Sequence, residues 1–460
     1  MSLKLNYKRT ILVGFAFFLI SAFWQAYDAI VPLILNNHFG LDDFWSGMVM
    51  SIDNVIAVFL LPIFGSISDK VSTKWGKRTP FILIGTVISI ISFVAMTFID
   101  NYQLAEVLSK GGESAELSAI ALEITLANPL GFIGFIATLL VVLLAMASFR
   151  SPAVALMPDV TAKPLRSKGN AIINLMGAAG GIFVLVLGII FGTSKDSYMT
   201  YTPYVIAVVA VMAIGLIIFI LAVKEKDWSS EAEQLNARLD EESAPEVSDA
   251  PERRLTRPEL ISLILILASV ALWYIGYNSI TSKYSVYSTN ILKFDFNATL
   301  IIAQAAAIVS YIPVGMIASK IGRRKTILAG IIMLASAFFI GNFITPETPE
   351  FVMAPVFILA GIGWATINVN SFPMVVELAR GGNVGKYTGY YYTASMSAQI
   401  VAPILSGYLY GVIPGGMRVV FFAFGTIFVA LSFVTMFFVK HGDAKPEAQG
   451  ALESLGGADD

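Results

Sequence analysis

Asp28 and Asp53 each interrupt a run of otherwise apolar residues, at 11–35 and 44–67. A charge in such a run is costly and points to function. At the helical rise, Asp28 lies about 7 Å and Asp53 about 5 Å outward of the middle of its run. The two runs point in opposite directions, so the carboxylates share a depth. Each is neutral when protonated and expensive when charged, the property a proton carrier needs. Neither histidine, His38 or His441, falls in a run, which leaves these aspartates as the candidate carriers. The alternative is a structural carboxylate hydrogen-bonded to a neighbouring amide, Asn54 beside Asp53 or Gln25 near Asp28.

Other residues have types that suit a sugar, whose hydroxyls call for amides and whose flat C–H faces call for aromatic walls. Trp24 and Asp28, Trp273 and Tyr277, Tyr274 and Asn278, and Trp364 and Asn368 are each four apart, hence on shared helix faces. Gln25, Asn54, Asn174, Gln304, Asn370 and Gln399 add amides within apolar runs. The substrate-binding candidates are Trp24, Gln25, Asn54, Asn174, Tyr277, Asn278, Trp364, Asn368 and Gln399. Any one of the aromatics reads more readily as packing or as part of an interfacial belt; the set is the stronger signal.

Helices must position these groups. The 460 residues are 56% hydrophobic and 13% charged, about half the charge of a typical soluble domain. Twelve runs are long enough to span a bilayer: 11–35, 44–67, 78–98, 131–150, 170–191, 203–223, 258–281, 298–318, 325–345, 352–376, 388–410 and 418–438. All are read as helices, because lipid leaves unpaired backbone groups without partners and the runs are too long for barrel strands. The first run lacks a clear small-residue cleavage site and is read as a retained span. With the N-terminus inside, 25 of the 30 cations fall on the cytoplasmic side; only Lys110, Lys195, Lys283, Lys293 and Arg418 fall outside.

The same sequence excludes several classes. A net charge of −2 gives no basic signature for nucleic acid, and the absence of cysteine removes disulfides and thiolate chemistry. No Walker A sequence, HExxH pair or GxSxG elbow is present. No catalytic constellation or metal site is expected, and the protein is not read as an enzyme.

Residues 224–257, including "EAEQLNARLDEESAPEVSDAPERR", form a polar stretch expected to be a flexible or partly helical linker. The expected organisation is an N-terminal six-helix bundle (1–223), this cytoplasmic linker, a second bundle (258–440) and a disordered tail (441–460). The external stretch 99–130 could form a surface helix. "GAAGG" at 177–181 suits close helix packing. The halves echo each other. Pro62, Gly65, Asp69, Gly76 and Arg78 in one half correspond to "PVGMIASKIGRRK" at 313–325 in the other, with Ser319 in place of Asp69. "RSPAVALMPDV" and "NSFPMVVEL" form a second echo, placing Asp159 and Glu377 in matching positions.

"GSISDKVSTKWGKR" at 65–78 resembles the cytoplasmic signature of the major facilitator superfamily: a glycine, an aspartate four residues on, then basic residues after a second glycine. "MPDV", "SFPMVVEL", "GKYTGYYYTASMSAQIVAPILSG" and "IDNVIAVFLLPIFGSISDK" resemble its proton-coupled sucrose carriers, relatives of the glycoside–pentoside–hexuronide:cation symporters. The resemblance spans roughly 11–440. It implies an all-α membrane protein of twelve transmembrane helices in two six-helix bundles, the major facilitator fold. It also implies gating roles for Asp69, Arg78, Arg150, Asp159 and Glu377. Two departures stand out. Plant sucrose carriers have a sugar-binding basic residue in the fifth span, whereas 170–191 has no Lys or Arg. Melibiose-type carriers gather several carboxylates from spans 2 and 4 for sodium, whereas span 2 here has one and span 4 none.

The resulting expectation is a secondary transporter, a proton-coupled symporter of a disaccharide or other glycoside, with Asp53 and Asp28 as proton-coupling residues and no cofactor beyond the proton. An exporter of drugs or another solute is the alternative within transport; a non-transporting receptor is the alternative outside it. Its partners would be a small-molecule sugar and the lipid bilayer of the plasma membrane. A monomer with both termini cytoplasmic is expected. Tags inserted at 240 and 441 should report the cytoplasm, and one at 113 the outside; an external signal at 240 overturns the orientation.

Overall fold

The computed structural model describes residues 4–112, 114–242, 255–378 and 384–442. The disordered tail was expected at 441–460, and 443–460 lies outside these residues, as does linker segment 243–254. Twelve long helices carry the described fold. In the first half they are α1 (Tyr7–Leu33), α2 (Asp43–Lys70), α3 (Thr79–Ser109), α4 (Leu130–Asp159), α5 (Arg166–Phe191) and α6 (Thr202–Ala222). In the second they are α7 (Arg257–Thr281), α8 (Phe296–Ile321), α9 (Arg323–Gly341), α10 (Met353–Glu377), α11 (Val384–Val412) and α12 (Gly416–Phe437). Eleven of them are long and apolar enough to cross a membrane. The twelfth, α11, is rich in Tyr, Ser and Gly, and lies against α2 and α7.

Local chemistry sets several helix starts. The Asn6 side chain accepts from Arg9 N–H, and Asp42 from Trp45 N–H at 2.8 Å. Thr256 and Glu259 form a capping box at the start of α7. Each caps backbone donors that the first helical turn leaves unpaired. Side chains such as Ile84, Ile91 and Phe98 on α3 stay exposed, as a lipid-facing surface requires.

The two halves repeat one packing pattern. In the first, α1 packs on α5 and α6, α3 on α4 and α6, and α2 on α4. Shifting every number by six gives the second half: α7 on α11 and α12, α9 on α10 and α12, and α8 on α10. The halves meet where α2 packs on α11 and α5 on α8, two contacts that the same shift exchanges. This is the geometry of a duplicated bundle with a path between its copies. The 177–181 stretch packs closely as expected: a Cβ on Gly180 would come within 2.5 Å of the Phe18 carbonyl oxygen of α1.

The face carrying both ends of the described chain is called here the basic face, and the opposite one the far face. On the far face, the helix expected in 99–130 forms at Ser114–Ala127. α1 does not stop at the end of its apolar run. It continues through a wider turn, Ile34–His38, and His38 is completely buried. His38 was expected outside any span. Instead Asp100 of α3 meets its Nδ1 at 2.6 Å, and the Ser197 carbonyl oxygen lies 3.0 Å from its Nε2. With these polar partners His38 can lie in the protein interior.

On the basic face, Glu225–Glu242 of the linker stretch is helical and docked on the first half. Trp228 is buried there beneath the Arg9 guanidinium, and Arg9 pairs with Glu231. Glu225 matters most. Its carboxylate accepts the backbone N–H groups of Lys77, Arg78 and Thr79 at 2.6, 2.8 and 2.7 Å. It thereby supplies the cap that Arg78, at the N-cap position of α3, does not make itself. Glu225→Ala should lower the stability of detergent-solubilised protein by about 1–2 kcal/mol. The matching drop in Tm is measured against Glu233→Ala, which changes an exposed residue of the same helix.

Candidate functional site

The halves enclose a cavity of about 630 Å3. Asp28 of α1 and Asp53 of α2 both line it, close enough to interact electrostatically. Asp28 is exposed to the cavity and Asp53 half-buried. Asn54 Nδ2 donates to Asp53 Oδ1 at 2.8 Å. Arg150, expected among gating residues, lies within α4; it lines the same cavity within electrostatic range of Asp53. Two carboxylates and a guanidinium thus converge inside the apolar body.

The aromatic and amide candidates divide. Tyr277 and Trp364 line the cavity and stack face to face, with ring centroids 3.7 Å apart and planes 6° from parallel. Tyr274 meets Trp364 edge-on at 5.3 Å. Trp24 lines the opposite half, held edge-on by Tyr27, and its Nε1 has no hydrogen-bond partner in the structure. Gln25, Asn54, Asn174, Asn278 and Gln399 also line the cavity. Both polar atoms of the Asn174 amide lack partners in the structure. Gln304 Nε2 donates to Gln25 Oε1 at 2.6 Å, joining α8 to α1 across the cavity.

Asn368, although four residues from Trp364, does not line the cavity; its amide oxygen lies 3.5 Å from the Tyr274 hydroxyl. Asn370 is buried and donates to the Thr366 carbonyl oxygen. Trp273 is wholly buried in the core. A four-residue spacing puts two side chains on one face, but the tertiary packing decides whether that face meets the cavity.

The remaining gating candidates cluster on the basic face. The Arg78 guanidinium donates to Asp159 Oδ2 at 2.8 Å, and also to Asp69 Oδ1 and Ser68 Oγ. Hydrogen bonds to Asp159 and Asp69, and the charges of both, hold its pKa above the usual arginine value against an opposing desolvation effect. In the second half Arg323, opening α9, pairs with Glu377, closing α10. This repeats the placement of Arg78, which opens α3, and Asp159, which closes α4. The Ser319 side chain lies outside the described residues.

On the far face the halves touch closely. A Cβ on Gly47 would lie 2.3 Å from the Pro403 carbonyl oxygen, and one on Gly407 2.3 Å from that of Asp43. Ser51 Oγ donates to the Ile400 carbonyl oxygen at 3.0 Å. Lys283, read in the sequence as an external loop cation, is entirely buried in this seam. Its only sequence signal was to be one of five cations on the side that holds few of them. Tyr311, a cavity residue of α8, was also missed; a tyrosine in an apolar run gave no separate signal.

Two six-helix halves around one polar cavity define a membrane transporter of the major facilitator class. The family described as MFS/sugar transport protein matches residues 12–380, and the chain belongs to that family, one of transporters and not of enzymes. None of the curated proteins compared with the chain matches it. Solved structures share the fold at low identity. The inward-open xylose transporter XylE from E. coli is 14% identical, with TM-score 0.64, covering 98% of this chain and 99% of its own. A D-xylose–proton symporter is 14% identical, with TM-score 0.64 and coverage of 95% and 99%. The nucleoside transporter NupG is 14% identical, with TM-score 0.60 and coverage of 94% and 100%.

Proposed function

We propose that the protein is a proton-coupled symporter of a disaccharide or other glycoside, working by alternating access as a monomer in the plasma membrane, with the basic face and both termini in the cytoplasm. One observation carries the reading: Asp28 and Asp53 share a cavity with the stacked Tyr277–Trp364 pair and a set of amides. The carboxylates suit a proton, and the aromatic wall with its amides suits a sugar. The family's description, and the sugar–proton symporter among the similar folds, support it.

The far-face seam supports an inward-facing state. Four of the six buried residues of α2, Ser46, Gly47, Met50 and Ser51, lie at its start, where it meets α11. Its later part includes exposed Phe59 and Ile63. Arg78 with Asp69 and Asp159, and Arg323 with Glu377, are ion pairs within each half. In the outward-facing state these basic ends approach each other, and the guanidinium and carboxylate groups of one half come within reach of those of the other as a latch.

In this reading a protonated Asp53 lets the loaded carrier reorient, and a charged Asp53 beside Arg150 does not, because protonation changes the relative stability of the two facings. Asp53→Asn should abolish uphill, pH-driven accumulation of labelled sugar in proteoliposomes while retaining exchange between equal pools. Full accumulation by this variant would place the proton elsewhere.

Asp69 stands on the basic face, away from the cavity, and acts through the equilibrium between facings. Asp69→Asn should therefore slow transport far more than it weakens sugar binding, comparing uptake rate with equilibrium binding. An unaltered uptake rate removes the latch.

A further inference from the structure

We propose that Lys283 is a positioning residue of the transport cycle: a buried cation from the second half that holds the far end of the cavity shut by docking into a polar socket built by the first half. Its Nζ donates to Ser46 Oγ at 2.7 Å and to Asn36 Oδ1 at 3.0 Å, and lies 3.3 Å from Asp43 Oδ1. The socket is itself assembled: Asn36 Nδ2 donates to Asp43 Oδ1 at 2.9 Å and to the Leu41 carbonyl oxygen at 3.2 Å. Lys283 and Ser46 are both fully buried, and Asp43 keeps a partly exposed side chain.

Three features make this a gate contact and not merely a buried ion pair. First, it crosses between halves, from the turn that ends α7 to α2 and the extension of α1. Second, it sits in the close seam between α2 and α11, through Ser46 next to Gly47 and Asp43 at the Gly407–Asp43 approach. Third, the extensions of α1 and α7, Ile34–His38 and Tyr287–Leu292, are counterparts in the two halves, and they join through Asn290 Nδ2 donating to Asn37 Oδ1 at 3.0 Å. Asn290 Oδ1 in turn accepts from Ser197 Oγ. The neighbours of Lys283 reach the cavity directly: Ser282, Tyr284 and Ser285 line it, and Ser285 Oγ donates to the Asp28 carbonyl oxygen. Opening the far end must pull Lys283 out of its socket, and the same movement shifts the backbone beside Asp28.

A buried ammonium without its carboxylate is strongly disfavoured, and so is the socket without its cation. Removing either partner alone therefore weakens the closed seam, whereas replacing both by apolar residues restores a neutral one.

The inference rests on the alternating-access reading but not on the substrate. The test needs neither sugar nor proton. The chain has no cysteine, so Leu300→Cys places one thiol on the cavity wall one turn from the far end of α8. Alkylation by a membrane-impermeant maleimide added at the far face then reports opening. Lys283→Met should raise the rate about tenfold or more over Leu300→Cys alone, because loss of one partner of a buried pair shifts the balance between facings. Asp43→Asn should raise it in the same direction, and Lys283→Met with Asp43→Leu should bring it back towards the parent rate. Asp43→Asn carries the test if Lys283→Met fails to insert. Unchanged labelling in the single variants overturns the gate, and so does a double variant that labels faster than either, which would mean general loosening. Faster labelling in singles restored in the double supports the gate even if no sugar is taken up; that outcome would count against the substrate assignment alone.

Discussion

Among the described residues, the two halves come together through backbone-close packing at the far face. Gly47 against Pro403 and Gly407 against Asp43 bring backbone onto backbone where α2 crosses α11, and Gly188 of α5 faces the Asn297 side chain of α8, so none of the three leaves room for a side chain. Close approach of this kind is a principal source of cohesion between helices in lipid, where apolar burial offers little. The cavity, its carboxylates and its aromatic wall all lie in the space that this contact encloses. The four seam helices fall into two pairs exchanged by the internal repeat. A duplicated protein can therefore close at either end with the same kind of helix contact.

The polar groups follow from that geometry. Inside hydrocarbon a charge or amide needs a protein partner or an aqueous cavity. Asp28, Asp53, Arg150 and the amides of Gln25, Asn174 and Gln399 all line the space between the halves. His38 and Lys283 meet the same requirement differently, by hydrogen bonds in the far end: His38 to Asp100, and Lys283 to Ser46, Asn36 and Asp43. The first set suits chemistry with a mobile solute, because it can exchange partners with what enters. Of the second, Lys283 crosses between the halves and suits holding them in one arrangement, whereas His38 ties together elements of the first half.

The basic face repeats the division at lower burial. Arg78 and Arg323 open equivalent helices and pair with acids that close equivalent helices. Among the described residues, only the first half adds such a docked helix, Glu225–Glu242, whose Glu225 caps α3 next to Arg78. The linker is thus attached to the very helix start from which the Arg78 latch projects, which ties the position of that guanidinium to the linker as well as to its own helix.

The sequence by itself determined the helices, the family resemblance and the depth shared by Asp28 and Asp53. Those features depend on local composition, on the helical rise and on a short motif, all of which can be read along the chain. It also supplied the charged and amide residues of the cavity, because such a side chain in an apolar run has few other places to go. It did not separate Tyr277 and Trp364, which meet in the cavity, from Trp273 and Asn368, which do not. Lipid is as apolar as a protein core, so a span's hydrophobic pattern does not distinguish its lipid face from its packed face. Only the tertiary structure decided which faces meet, and only it could find contacts such as Lys283 with Asn36, whose partners stand 247 positions apart. A cation's loop position shows its side of the membrane; whether it is solvated there or buried in a seam depends on which helices the fold brings around it.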